Sequence, residues 1–312
     1  MKLTVASSPH IRGNFRTNRI MLDVVLSLTP ALAVGVFRFG FDALLVTLVT
    51  VAAAVLSEWV YAKVTKTRNT VVDGSAMVTG MLLAMTLPHT VALWQAALGS
   101  AFAIIFVKCL CGGLGQNIFN PALAARAMLL IVWPASLTRF MGVDGVSVAT
   151  PLHQMIMGSL PTESLTEMFL GNIPGCIGEA SALALLLGGA YLIYRKVISI
   201  RIPAAYLGTV AVLTLVFHKI DAVQWMLYSL FGGGVMLGAI FMATDYATSP
   251  ATALGQIVYG IGCGVLTVVF RYYGLFPEGV TYAILIMNAF VWVIDRYTAP
   301  RRFGTKKGGA KA

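Results

Sequence analysis

Gly80-Met81-Leu82-Leu83-Ala84-Met85-Thr86-Leu87-Pro88 closes an apolar segment, 76–88, that is too short to cross a bilayer. A spanning helix needs about 20 apolar residues, since each adds only about 1.5 Å of rise across a hydrocarbon core about 30 Å thick. A shorter segment that ends in proline predicts a half helix whose broken end is covered by other protein. Outward from it lie apolar segments at 20–37 and 41–62 on one side. On the other come 91–108, 119–133, 180–194, 203–218, 223–243, 253–273 and 279–297. Segment 119–133 is a second short one.

The composition fits that pattern. The 312 residues are 58% hydrophobic and 11% charged, far more apolar surface than a soluble domain of this length can bury. The expected fold class is an all-α integral membrane protein of about ten transmembrane segments, some of them broken or half helices. Residues 1–10 have no apolar core, and none begins before Ile20, which predicts insertion through the first helix rather than a cleaved leader.

The net charge of +10 is carried by Lys and Arg at helix ends and tails. That distribution points to membrane topology and the lipid bilayer, not to a nucleic-acid partner. Lys63, Lys66 and Arg68, then Arg195, Lys196 and Arg201, then Arg301, Arg302, Lys306, Lys307 and Lys311 all fall on one side if ten segments cross. The positive-inside rule makes that side cytoplasmic, with both termini inside and the loop 134–179 outside. The chain thus divides into a basic cytoplasmic lead (1–19), a first membrane repeat (20–133), an external loop (134–179), a second membrane repeat (180–298) and a basic cytoplasmic tail (299–312).

Two halves are expected to be related. Gly80–Pro88 resembles the region Met236–Asp245, and Phe119-Asn120-Pro121 resembles Phe276-Pro277-Glu278, at an offset of about 157 residues. With five segments per half, an odd number, the repeats must be inverted, and sites are then expected at the repeat interface near the midplane.

Within the longest segment of low hydrophobicity lies a short polar stretch, Asp144-Gly145-Val146-Ser147-Val148-Ala149-Thr150, followed by Pro151. Gly145 is free in its backbone angles, and Pro151 pushes Thr150 toward an extended conformation. The Thr150 hydroxyl is therefore expected to face outward, as an acceptor for a modifying enzyme should.

Inside the membrane, Gly112-Gly113-Leu114-Gly115-Gln116-Asn117 runs into Phe119-Asn120-Pro121, a glycine-rich break followed by a helix start. Free N–H groups there would favour a phosphate or a polar flavin edge, or the break serves helix packing alone. Lys108 and Arg126 flank it and could balance an anion; Lys108 could equally snorkel to the lipid interface. Asp73, Asp245 and Glu278 stand at ends of apolar segments, with Asn120, Thr79 and Thr244 as neutral oxygens nearby. These carboxylates are candidates for cation coordination or flavin binding, or simply cap half helices. Cys109-x-Cys111 could hold an iron–sulfur cluster only if another chain supplied more thiolates; close helix packing is the alternative. No pattern of the four cysteines indicates a disulfide framework or a metal site.

The loop resembles the flavinylation site of the NqrB/RnfD family, the membrane subunits of sodium-pumping quinone reductases and Rnf ferredoxin:NAD⁺ oxidoreductases. Asp144, Ser147, Ala149 and Thr150 match its D-x-x-[S/T]-G-A-T pattern, while Val148 stands where the family usually has Gly. Further matches are Asp73-Gly74-Ser75-Ala76, Val78-Thr79-Gly80, Met242-Ala243-Thr244-Asp245 and the run Pro277–Leu285 with Asn288. They cover roughly residues 20–303, and the chain's length fits the RnfD branch.

The resemblance implies FMN joined through its phosphate to Thr150 by an ApbE-type flavin transferase. It also implies a noncovalent riboflavin among the helices, with Asn120, Arg126 and Asp245 as further cofactor-binding candidates. The chain would relay electrons between other Rnf-type subunits of a translocase in the bacterial inner membrane, pumping Na⁺ or H⁺, and would not be catalytic alone. Ferredoxin and NAD⁺ would bind other subunits, because no Rossmann fingerprint or iron–sulfur motif occurs here. The other class open to this sequence is a channel or secondary transporter without a redox cofactor.

Overall fold

The computed structural model describes residues 17–67, 70–140, 149–274 and 279–300, and among them every regular element is helical. The first half holds α1 (Thr17–Phe39), α2 (Phe41–Thr65), the short α3 (Ser75–Thr86), α4 (Leu93–Phe102) running on as a π-helix (Ala103–Cys109), and α5 (Pro121–Val132). Then come α6 (Pro134–Thr138), α7 (Pro151–Ile156) and α8 (Leu165–Leu170). The second half holds α9 (Ala182–Tyr194), α10 (Arg201–Val216), α11 (Ala222–Phe231), α12 (Val235–Leu237) running on as a π-helix (Gly238–Met242), α13 (Ala253–Tyr273) and α14 (Val280–Thr298).

Four helices, α1, α2, α13 and α14, are long and apolar enough to cross a membrane; α11 with α12 and its π-helix is a fifth candidate, bent by 61°. The remaining apolar helices are shorter. The half helix read from Gly80–Pro88 is α3, which stops at Thr86 because Leu87 turns extended (φ −94°, ψ 149°) ahead of Pro88. Segment 223–243, expected to be continuous, is broken: Gly233 and Gly234 take φ of 66° and 70°, a left-handed geometry that costs other residues more than glycine. The 134–179 stretch, expected as a loop, carries α6, α7 and α8. Ser164 and Glu167 form a reciprocal capping box that satisfies the first N–H groups of α8. Helix α1 begins at Thr17 rather than Ile20.

The helices pack as α1 on α9, α2 on α3 and α4, and α13 on both α10 and α14. Close approach rests on small residues, as expected where lipid gives no hydrophobic drive between helices. A Cβ at Gly80 would lie 2.9 Å from the Thr50 carbonyl oxygen and 2.8 Å from Val51 Cα, both backbone atoms of α2 that cannot swing aside. Gly80→Ala is therefore expected to cost about 1–3 kcal/mol, read as a lower thermal midpoint of the detergent-purified chain. Buried hydroxyls close the polar accounts: Ser100 Oγ donates to the Thr50 carbonyl (2.6 Å), and Tyr206 Oη lies 2.6 Å from Thr267 Oγ1.

Large apolar side chains cover the outside, among them Leu26, Leu48, Leu56, Phe106, Val212 and Val269. A soluble monomer rarely exposes so extended an apolar surface, whereas a bilayer solvates it. The chain is a multi-pass membrane protein.

Candidate functional site

A cavity of about 80 Å³ lies where α3, the first π-helix, the start of α5 and the segment following the second π-helix converge. Its polar wall is Ser75, Thr79, Lys108, Asn117, Asn120 and Asp245. Both π-helices lead into this wall, one reaching Lys108 and the other ending three residues before Asp245. Such local widening of the helix is frequent at functional sites because it re-aims a side chain without ending the helix.

Asn120 joins the halves of the chain. Its Oδ1 accepts from the N–H groups of Ala122 (3.0 Å) and Leu123 (3.4 Å), capping α5, while its Nδ2 donates to the Met242 carbonyl at 3.2 Å. Its own N–H donates to the side-chain oxygen of Asn288 (3.2 Å), whose amide nitrogen donates to the Thr248 carbonyl (3.1 Å) and to Tyr259 Oη (2.6 Å). Asn120→Ala removes the cap and strands the Met242 carbonyl. The expected loss is about 0.5–2 kcal/mol for the cap, with more for the buried carbonyl, seen in thermal unfolding.

This arrangement corrects the anion-docking reading of the glycine-rich break. The first N–H groups of α5 already have Asn120 as acceptor. The N–H groups of Gly112 and Gly113 donate to the Cys109 and Lys108 carbonyls (3.1 and 3.0 Å), closing the π-helix end. Gly112, Gly113 and Gly115 take φ of 110°, 95° and 88°, so the turn needs glycine for backbone shape. Of the alternatives left open for Cys109 and Cys111, tight helix packing does not fit Cys111, which is exposed.

Lys108 does not snorkel to lipid. It is 3% exposed, and its Nζ donates to Glu58 Oε1 and to Ser75 Oγ, both at 2.7 Å. Glu58, 1% exposed on α2, also accepts from Thr70 Oγ1 at 2.5 Å, while its Oε2 has no hydrogen-bond partner among the described residues. The sequence reading missed Glu58, although a carboxylate inside an apolar segment is itself the signal. Asp73, half-buried at the end of a short 3₁₀ turn before α3, does not line the cavity.

Arg126 is not in the same cavity. Its guanidinium donates to the Thr86 carbonyl and, at 3.5 Å, to Cys176 Sγ. With Glu179 it lines a second small pocket against Gly233 and Gly234, at the bend of the broken helix. Arg271 is also buried there, donating to the carbonyls of Ser229 (2.6 Å), Gly232 (2.8 Å) and Gly233 (3.2 Å). Its charge thus holds the exposed carbonyls of the bend, a role the sequence reading did not assign.

Thr150 stands apart from both. It caps α7, accepting from the His153 N–H at 3.3 Å, with its side chain half-buried and Ala149 exposed before it. Leu152, Met155 and Ile156 of α7 line a shallow pocket with Lys219, Trp225, Arg271 and Tyr272. Trp225 Nε1 donates to Tyr272 Oη at 2.7 Å, so this tryptophan is packed inside rather than belonging to an interfacial belt. Asp144, Ser147 and Val148, and also Glu278, lie outside the described residues. The structure thus brings together Asn120 and Asp245, adds Lys108, and leaves Arg126 and Thr150 at separate places.

The sequence model of the NQR2, RnfD, RnfE family matches residues 4–304. The chain belongs to this family. Among relatives, it is 49% identical to the D-type subunit of the Na(+)-translocating ferredoxin:NAD(+) oxidoreductase complex of Acetobacterium woodii, over 98% of this chain and 97% of that one. It is 42% identical to the D-type subunit of the proton-translocating ferredoxin:NAD(+) oxidoreductase complex of Clostridium ljungdahlii, over 97% of each chain. Identity to the D-type subunit of the ion-translocating oxidoreductase complex of Halorhodospira halophila is 36%, over 98% of this chain and 97% of that one. Within the NQR2, RnfD, RnfE family, relatives named for sodium and for proton translocation are thus both similar to this chain over nearly its full length.

Proposed function

We propose that this chain is the D-type membrane subunit of an ion-translocating ferredoxin:NAD⁺ oxidoreductase, that it carries FMN on Thr150, and that it relays electrons between partner subunits. The family match over nearly the whole chain carries the first part. For the flavin, the supporting observation is Thr150 itself. Among the described residues its oxygen accepts one weak 3.3 Å cap bond, and it stands between exposed Ala149 and a helix that lines an aromatic pocket.

These residues fit an FMN phosphodiester: the hydroxyl is accessible to a transferase, and Trp225, Tyr272 and Lys219 offer an apolar wall and a positive charge beside it. When bound, the flavin supplies one-electron redox chemistry, while this chain positions and shields it. The six shorter or bent helical units complete ten crossings in two inverted repeats, α1–α5 and α9–α14. On that topology Lys63, Lys66 and Arg195 are cytoplasmic and Thr150 is external, within reach of an ApbE-type transferase.

In this reading a noncovalent flavin such as riboflavin would be held at the Lys108–Asn120–Asp245 cavity, on the cytoplasmic half, which at about 80 Å³ has to widen to admit an isoalloxazine. Asn120 and Asp245 supply polar contacts, and Lys108 supplies a positive charge. The deciding experiment is a denaturing gel of host-produced chain viewed under ultraviolet light: covalent FMN leaves the band fluorescent. A dark band, with intact mass equal to that of the bare polypeptide, would return the chain to the class of non-redox channels or transporters.

A further inference from the structure

We infer that Glu58, Thr70 and Ser75 form a sodium site that the Lys108 ammonium fills when no cation is bound. Lys108 Nζ sits 2.7 Å from Glu58 Oε1 and 2.7 Å from Ser75 Oγ, and Thr70 Oγ1 lies 2.5 Å from the same carboxylate oxygen. A positive charge is thus already coordinated by one carboxylate and surrounded by neutral hydroxyls, the donor set a hard cation takes. Among the described residues, the buried Glu58 Oε2 has no hydrogen-bond partner, so the site has a ligand that the ammonium does not use.

The ammonium also has somewhere to go. Lys108 lines the polar cavity on its other side, at the end of a π-helix that opens into a glycine turn with left-handed backbone angles. A negative charge arriving in that cavity gives the ammonium an alternative to Glu58, and sodium then replaces it at the carboxylate. One positive charge enters the membrane interior for each negative charge, so neither is left uncompensated at low dielectric. This exchange rests on the ion-translocating reading above and gives it a location for the ion.

The test uses the full chain carrying Thr150→Val, so that its outcome does not depend on whether a flavin is attached. Thermal midpoints are compared in NaCl and in choline chloride at equal ionic strength. Lys108→Met empties the site while leaving Glu58 charged; its midpoint is expected to rise with NaCl, with at least a tenfold tighter apparent affinity for sodium than the parent chain shows. Glu58→Gln/Lys108→Met should show no difference between the salts. Should Lys108→Met fail to accumulate in choline chloride, recovery of folded chain in NaCl supports the site equally. Equal midpoints, or equal loss, in the two salts overturn it. So does a protonated-carboxyl infrared band in Lys108→Met that Glu58→Gln abolishes and sodium leaves unchanged, since Glu58 would then take a proton.

Discussion

Thr150→Val is expected to abolish covalent flavin fluorescence on the denatured band and to bring the mass to that of the bare polypeptide. Valine keeps the β-branched shape that suits the extended residue before Pro151, so the backbone at the start of α7 is preserved. What disappears is the oxygen that would carry the phosphodiester, together with one weak cap bond. The cap costs about 0.5–2 kcal/mol at a six-residue helix on the periphery, which cannot unfold the membrane body. Thr150→Ser separates the roles. Serine keeps the hydroxyl and should retain some flavin if the transferase reads only the oxygen. Electron transfer through the assembled complex should fall to background in Thr150→Val, with the amount of assembled complex unchanged. A band that still fluoresces would move the attachment elsewhere and leave the family assignment standing.

The second large effect concerns the pair behind the cavity. Removing either partner of a buried ion pair leaves the other charge without compensation, which costs about 3–5 kcal/mol, whereas replacing both with neutral groups of similar shape is often neutral. Glu58→Gln alone is therefore expected to lower the thermal midpoint strongly, because the Lys108 ammonium keeps only neutral acceptors, the new amide oxygen and Ser75 Oγ, and loses its counter-charge. Glu58→Gln/Lys108→Met should recover most of the loss. A double variant as unstable as the worse single one would mean that the pair matters through the packing of Lys108 rather than through charge. The readout is thermal unfolding in choline chloride, so that no sodium can fill the space.

The contrast between Lys108 and Thr150 shows what a linear sequence can and cannot carry. The extended backbone of Thr150 (φ −63°, ψ 153°) was legible because the proline that causes it is the next residue in the chain. The helix start at Pro121 and the short segment ending at Pro88 were legible for the same reason, since proline effects act within a few residues. Lys108 stayed open between balancing an anion and reaching lipid because its partner Glu58 lies fifty positions away on another helix. A lysine at the end of an apolar segment looks the same whether its ammonium reaches lipid headgroups or a buried carboxylate. Arg126 was grouped with the glycine-rich break by proximity in sequence, yet the turn of α5 sends it toward Thr86 and Cys176. Segment 223–243 was counted as one span because hydropathy averages over Gly232–Gly234, where backbone dihedrals rather than polarity make the break.

By itself, then, the order of residues determined the solvent this protein folds in, the helical class that solvent enforces and the short segments that cannot cross alone. In a bilayer every backbone group must be satisfied within its own segment, so hydropathy and prolines suffice for those conclusions. Only the tertiary structure decided which charges share the interior. It set Glu58 against Lys108, Arg271 under the bent helix, and Asn120 between the halves of the chain. Those choices are made by packing between distant segments, where an unpaired charge is too costly to persist and the partner is whichever helix the fold brings near.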